Sequence, residues 1–314
     1  MAMMRVLISL IVRAACLGMS VSLGAVNSAW ALSTSADIGA AAYTRSSQNN
    51  HKGLLWKVER SGLRPSYVFA TINSEDPRVM QLPPPVVQAF QLSDVFAMEL
   101  IPDHAALARM TAAMFISSGP DLRTLLGKDY FNKVAVLMSK HGVAPPLLLK
   151  IKPWVVFTAL TMPKPEDGIF LDVILYGAAL SDGKNVHGLE TADEQISIFE
   201  GIPVDDQVAI LKDVIDHYSL FSRINKEMVR RYTRGDLNGV AALQDEYLAT
   251  DDQRLIHAFK QHMIDDRNLR IVNRILPRIE EQNAFIAIDA GLLPGAQGVL
   301  HLLRQRGYRI SPVY

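Results

Sequence analysis

Two apolar runs near opposite ends of the chain do most to limit its fold: Tyr67-Val68-Phe69-Ala70-Thr71-Ile72-Asn73 and Phe285-Ile286-Ala287-Ile288-Asp289-Ala290-Gly291-Leu292. Both are rich in β-formers and both stop abruptly in turn-like stretches, Ser74-Glu75-Asp76-Pro77 and Leu293-Pro294-Gly295. Between them lies a long region whose apolar residues recur three and four apart, the spacing of helices. Strands at both ends around a helical middle predict an α/β domain. Its mixed β-sheet is built from N- and C-terminal strands and carries a large helical insertion.

The finer pattern supports this. Residues 54–58 and 67–71 flank Ser61-Gly62-Leu63-Arg64-Pro65-Ser66, a strand–turn–strand hairpin. Pro83 to Pro85 stand where a helix begins, and residues 95–100 form a third strand. Helices are expected from Asp103 onward, over 122–141, over 147–160 after a break at Pro145-Pro146, and over 169–180. A strand at 185–190 leads to Thr191 and Glu194, spaced as a capping box. Residues 204–282 read as almost wholly helical, interrupted at Gly235 and at Asp251-Asp252. The chain closes with strand 285–289, helix 298–306, Gly307 as a stop, and strand 308–312. Met110, Met114 and Phe115 on one helical stripe are core residues.

The first 31 residues read as a secretory signal peptide. Arg5 and Arg13 precede an apolar stretch over 14–26, and Ala29-Trp30-Ala31 has the small-x-small cleavage pattern. The stretch is shorter than the roughly 20 residues a membrane span needs. Residues 32–52 are a polar leader, and 53–314 the domain. Cleavage removes Cys16, the one cysteine, and leaves 30 of the 32 basic residues against 32 acidic ones. That balance gives no general field for nucleic acid or anionic membrane. An exported protein without a membrane span is expected, periplasmic in a Gram-negative source.

Four strand candidates end in a polar residue: Asn73, Glu99, Glu190 and Asp289. Ligands of open α/β sheets sit at the carboxyl ends of strands, so these four could line one pocket. His257 and His262 are five apart and do not share a helical face. The remaining histidines are scattered. There is no His-Glu-x-x-His, Gly-x-Ser-x-Gly, phosphate-binding or dinucleotide motif.

Several segments in order resemble the TraB/GumN family, whose wider superfamily includes the Tiki metal-dependent peptidases. They are Leu54-Leu55-Trp56-Lys57-Val58, Asp76-Pro77-Arg78-Val79 with Leu82-Pro83, Met98-Glu99-Leu100, and Gly188-Leu189-Glu190-Thr191 with Glu194-Gln195. Asp266-Arg267-Asn268 and the ending from Leu293-Pro294-Gly295 to Gly307-Tyr308 complete the set. The resemblance implies paired Gly-x-x-His motifs that hold a divalent metal together with glutamates. Here the first motif reads Ala70-Thr71-Ile72-Asn73 and the second Asp289-Ala290-Gly291-Leu292, so both histidines and both leading glycines are replaced. An amide oxygen at Asn73 is a poor substitute for imidazole, and Leu292 offers no donor. No metal and no other cofactor is therefore expected at Ala70, Asn73, Asp289 and Leu292. The motif context makes Arg267 the partner of a pocket carboxylate, Glu99 or Glu190.

The sequence thus predicts a domain with a degenerate metal-hydrolase site that binds a peptide, a glycan or an envelope protein. The rival reading is an active hydrolase in which Asp289, Glu99, Glu190 and Asn73 hold a hard cation such as Mg²⁺ or Ca²⁺. A structural role in an envelope assembly is a third.

Overall fold

The computed structural model describes residues 52–163, 168–247 and 266–314. The expected signal peptide, the leader up to His51, the break at Asp251-Asp252, and His257 with His262 lie outside the described residues. Among those described, no helix is long and apolar enough to cross a membrane.

Six strands form one mixed sheet: β1 (Leu55–Glu59), β2 (Ser66–Thr71), β3 (Val95–Met98), β4 (Asn185–Gly188), β5 (Ala284–Asp289) and β6 (Arg309–Pro312). Their order is β4-β3-β5-β2-β1-β6. The hairpin predicted at the start is present, with β1 antiparallel to β2, and β6 adds antiparallel to the free side of β1. The other contacts are parallel: β2 with β5, β5 with β3, and β3 with β4. The two apolar runs that open and close the chain are thus direct neighbours, with Tyr67 beside Phe285 and Thr71 beside Asp289. Strands β3 and β5 and most of β2 are buried on both faces, which suits parallel strands covered by helices.

Phe285 on β5 is the hub of the sheet's core. Its ring lies 5.7 Å from Phe69, 5.4 Å from Phe90 and 6.4 Å from Phe96. The helical insertion has a second core around Trp154, which stacks on Phe199 at 4.8 Å and donates its indole N–H to Glu200 at 2.9 Å. Met110 and Met114 belong to that core, as the stripe predicted.

Three details differ from expectation. The helix expected over 122–141 is two, Leu122–Leu126 and Lys128–Ser139, separated by Gly127 at φ 80°, which turns the chain between them. Pro145-Pro146 does not break a helix but starts one, Pro145–Leu148, and Pro153 starts the next, Pro153–Thr161. Proline suits the first helical turn, where the backbone N–H has no intrahelical partner. Strands β3 and β4 end at Met98 and Gly188, which leaves Glu99 and Glu190 just beyond the ladder. The capping box at Thr191 and Glu194 is formed as predicted.

Candidate functional site

Because β2, β3, β4 and β5 run parallel, their carboxyl ends share one edge of the sheet. Pairing continues one step past β3 and β4: Leu189 N–H donates to the Met98 carbonyl at 2.7 Å and Glu190 N–H to the Glu99 carbonyl at 2.6 Å. Backbone geometry alone therefore sets Glu99 and Glu190 side by side.

Arg267, in the first turn of the Asp266–Glu281 helix, closes on them. Its Nε donates to Glu190 Oε1 at 2.8 Å and its Nη2 to Glu190 Oε2 at 2.7 Å, a two-pronged contact. The same Nη2 lies 3.6 Å from Glu99 Oε1. Gln195 adds a hydrogen bond to Glu190 Oε2 at 3.1 Å. Arg267 is 2% exposed, Glu190 4% and Glu99 8%. The charges sit in the interior, and the alternative of a surface ion pair for Arg267 does not apply. Surface pairs do occur elsewhere, as between Glu227 and Arg231 at 2.8 Å.

Asp289 joins through its backbone, whose N–H donates to Glu99 Oε1 at 3.0 Å, while its Oδ1 accepts from Gly291 N–H at 2.8 Å. That second bond caps the short turn Ala290–Leu292. Asn268, next to Arg267, donates its amide to the carbonyls of Leu292 (3.2 Å) and Gln297 (2.9 Å), fastening the segment after β5 onto the helix. Asn73 stands two residues beyond β2, half-buried at the same edge. Glu99, Glu190, Arg267 and Asp289 are therefore gathered in one cluster.

The two remaining motif positions are packing positions. Ala70 is enclosed in β2, its N–H bound to the Leu54 carbonyl and its carbonyl accepting from the Tyr232 hydroxyl at 2.8 Å. Leu292 is 4% exposed and part of the sheet's core.

Two participants escaped the sequence reading, Asp172 and Tyr232, while Asn268 stood in it only as part of the Asp266-Arg267-Asn268 motif. The signal for Asp172 was present, a single acid in the otherwise apolar stretch 169–180. It lies in the first turn of the Leu171–Ser181 helix and accepts from the Thr71 hydroxyl. Thr71 is the cross-strand neighbour of Asp289, so Asp172 faces the cluster.

Electrostatics follow from crowding. Burial pushes the Glu99 carboxyl well above its usual range; Arg267 opposes this, while the charges of Asp289, Asp172 and Glu190 add to it. Burial likewise raises Asp172 to about 6, against the hydrogen bond from Thr71 and with help from the Asp289 charge. Burial also works against the charge on Arg267, but Glu190 first, then Glu99 and Asp289, more than offset it, and the guanidinium stays charged.

Asp172 gives a pH test. Its folded value of about 6 exceeds the ordinary 3.8, so the unfolded chain loses this proton first as pH rises. Its contribution to stability therefore falls between those values and stays low above them. Asp172→Asn keeps an oxygen for Thr71 and cannot ionise. At pH 8 it is expected to be more stable than the natural protein by about 1–3 kcal/mol, the helix-start charge it gives up offsetting part of the gain. Near pH 4 the gain vanishes. Thermal melts at both pH values check this, and an equal gain at both would contradict the assignment.

Among the described residues no group of three or more His, Cys, Asp or Glu is arranged to hold a divalent ion. Both oxygens of Glu190 already serve Arg267 and Gln195. The described histidines nearest to helix partners are engaged locally, His217 with Asp213 and His301 with Gln305.

A model of the TraB/PrgY/gumN family matches residues 54–312. Metalloprotease TIKI2 of Danio rerio is 25% identical over 320 residues, covering 84% of this chain and 62% of its own. Metalloprotease TIKI1 of Xenopus tropicalis and of Homo sapiens are each 22% identical, with the same shares covered. The chain thus spans about three-fifths of the length of the curated relatives it matches. No solved structure matches it.

Proposed function

The chain belongs to the TraB/PrgY/gumN family, and from that premise we propose that it is an exported member with a degenerate metal-hydrolase site, acting by binding a partner. The partner is a peptide, a glycan or an envelope protein. The observation that carries this reading is what stands at the strand ends. Asn73 and a core-packed Leu292 occupy the places of the two motif histidines, and the cation beside Glu190 and Glu99 is Arg267. A guanidinium held by two hydrogen bonds supplies charge balance and fixed geometry. It does not activate water as a bound metal does.

The export part rests on the basic, apolar and small-residue pattern of the first 31 residues. Periplasmic residence follows in a Gram-negative source. The relatives are named metalloproteases, and hydrolysis is the activity this chain is proposed to have lost.

Metal titration tests the proposal. The natural protein is expected to give no stoichiometric binding of Zn²⁺, Mn²⁺ or Co²⁺ in calorimetry. A variant with Ala70→Gly, Asn73→His, Asp289→Gly and Leu292→His restores both motif histidines and is expected to bind. Stoichiometric metal on the natural protein overturns the reading whether or not the variant folds.

A further inference from the structure

We propose that the outer edge of β4 is a docking strand for an extended acidic polypeptide segment, held by backbone pairing and by arginines of the Asp266–Glu281 helix. This surface lies beside the strand-end cluster and is separate from it. The inference goes beyond the reading of that cluster and does not depend on it.

The first argument is an open edge. β4 is the last strand of the sheet and pairs with β3 alone among the described residues. Asn185 N–H donates to the Asp94 carbonyl and Leu189 N–H to the Met98 carbonyl, so alternate residues of the strand turn toward β3. The N–H and C=O of Val186 and Gly188 therefore point outward, and Asn185 and Gly188 are exposed.

The second argument is a missing guard. The opposite edge, β6, carries Pro312, which has no N–H to offer, and the exposed Arg309. β4 holds neither proline nor charge, and the lysine before it is turned away. Lys184 folds its ammonium over the Phe90 ring at 4.8 Å and donates to the Ser93 carbonyl at 2.7 Å.

The third argument selects the partner. A strand of 4 residues supplies few backbone bonds, so added affinity has to come from side chains. Arg267, Arg270, Arg274 and Arg278 are spaced three and four apart and share one face of their helix. That face runs alongside β4. Arg274 donates to the Leu189 carbonyl at 2.8 Å, and burial, then the charge of Arg278, hold the His187 ring below its usual range. Glu194 takes two hydrogen bonds from Arg274 and stands 3.9 Å from Arg270. Glu281 also acts on His187 but is exposed, where water screens it. Arg278 makes no ion pair among the described residues, and Arg270 Nε is shielded without a hydrogen-bond partner. Two of the arginines thus retain unspent donors.

Spacing fits the same partner. Arg270 and Arg278 are about 12 Å apart along the helix axis, and acids four residues apart on a strand are about 13 Å apart. A strand added to β4 turns alternate side chains to the side where His187 meets Arg278. Acids at those alternate positions reach the arginines while the backbone pairs with Val186 and Gly188. A nucleic acid or a sulfated glycan meets the arginines but leaves the edge unpaired.

The test is titration calorimetry of the full chain at pH 7.5 in low salt with three probes. They are N-acetyl-Glu-Val-Glu-Val-Glu amide, N-acetyl-Lys-Val-Lys-Val-Lys amide and octathymidylate. The acidic peptide is expected to bind, and the other two to bind about tenfold more weakly or worse. Val186→Pro removes an outward N–H and no bond to β3, and is expected to weaken the acidic peptide about tenfold. Arg278→Gln is expected to weaken it about fivefold and to reduce its sensitivity to salt. No binding of the acidic peptide, or equal binding of octathymidylate, overturns the inference. Binding unchanged by either substitution overturns it too, and Arg278→Gln decides if Val186→Pro fails to fold. Metal on the natural protein would remove the reading of the strand-end site and leave this one standing.

Discussion

Replacing Arg267 with Met is expected to lower stability by about 3–5 kcal/mol at neutral pH, because it strands charge in the interior. Methionine fills much of the same volume, so packing is not the main loss. What disappears is the two-pronged donor to Glu190, leaving that carboxylate with the amide of Gln195, and the nearby positive charge for Glu99. Glu99, already pushed upward by burial, would then favour its protonated form further. The deficit should shrink as pH falls toward 5, which separates lost charge from lost shape. Adding Glu190→Gln to Arg267→Met should restore part of the stability, since the pair is removed together. Urea unfolding of the single and double variants checks both points. A single variant as stable as the natural protein would show that the buried pair is not what holds this edge together.

Phe285→Ala is expected to cost a similar amount, about 3–5 kcal/mol, for a different reason. The ring touches Phe69, Phe90 and Phe96 and is fully buried at the centre of the sheet. Removing it leaves a void bounded by three rigid aromatic groups, which cannot collapse into it without moving β2, β3 and the Pro84–Leu92 helix. Unlike the loss at Arg267, this one should not depend on pH. Denaturation at pH 5 and pH 7.5 distinguishes the two.

Much of this architecture was legible in the chain because period and punctuation agree. The two apolar runs, the Gly/Pro turn between 61 and 66, and the Thr191–Glu194 box each impose one local solution, and each was found in place. Prolines misled where they follow another reading of their geometry: Pro145 looked like a break because a proline interrupts a helix from inside, and here it stands at the start. At the site, Glu99, Glu190, Asp289 and Arg267 could be named from position, since strand ends and motif context point to them. Asp172 could not. Its helix meets the strand ends only through the packing of the insertion onto the sheet, and no spacing along the chain records that contact. Tyr232 is a similar case, reaching the Ala70 carbonyl across 162 positions of sequence.

The strand order also governs when the molecule can form. Strand β5 lies between β3 and β2, although it is made after both and after the whole helical insertion. As the chain emerges from the ribosome, β1 and β2 can pair, but β3 has no place beside them until Ala284–Asp289 arrives to fill the gap. Pairings between such distant segments carry a large loop-closure cost and make for slow, late folding. The growing polypeptide therefore holds unfinished sheet edges until β5 is made, a state open to self-association. The acids of the cluster come together in that same late step, so nothing shorter than residue 289 possesses the site.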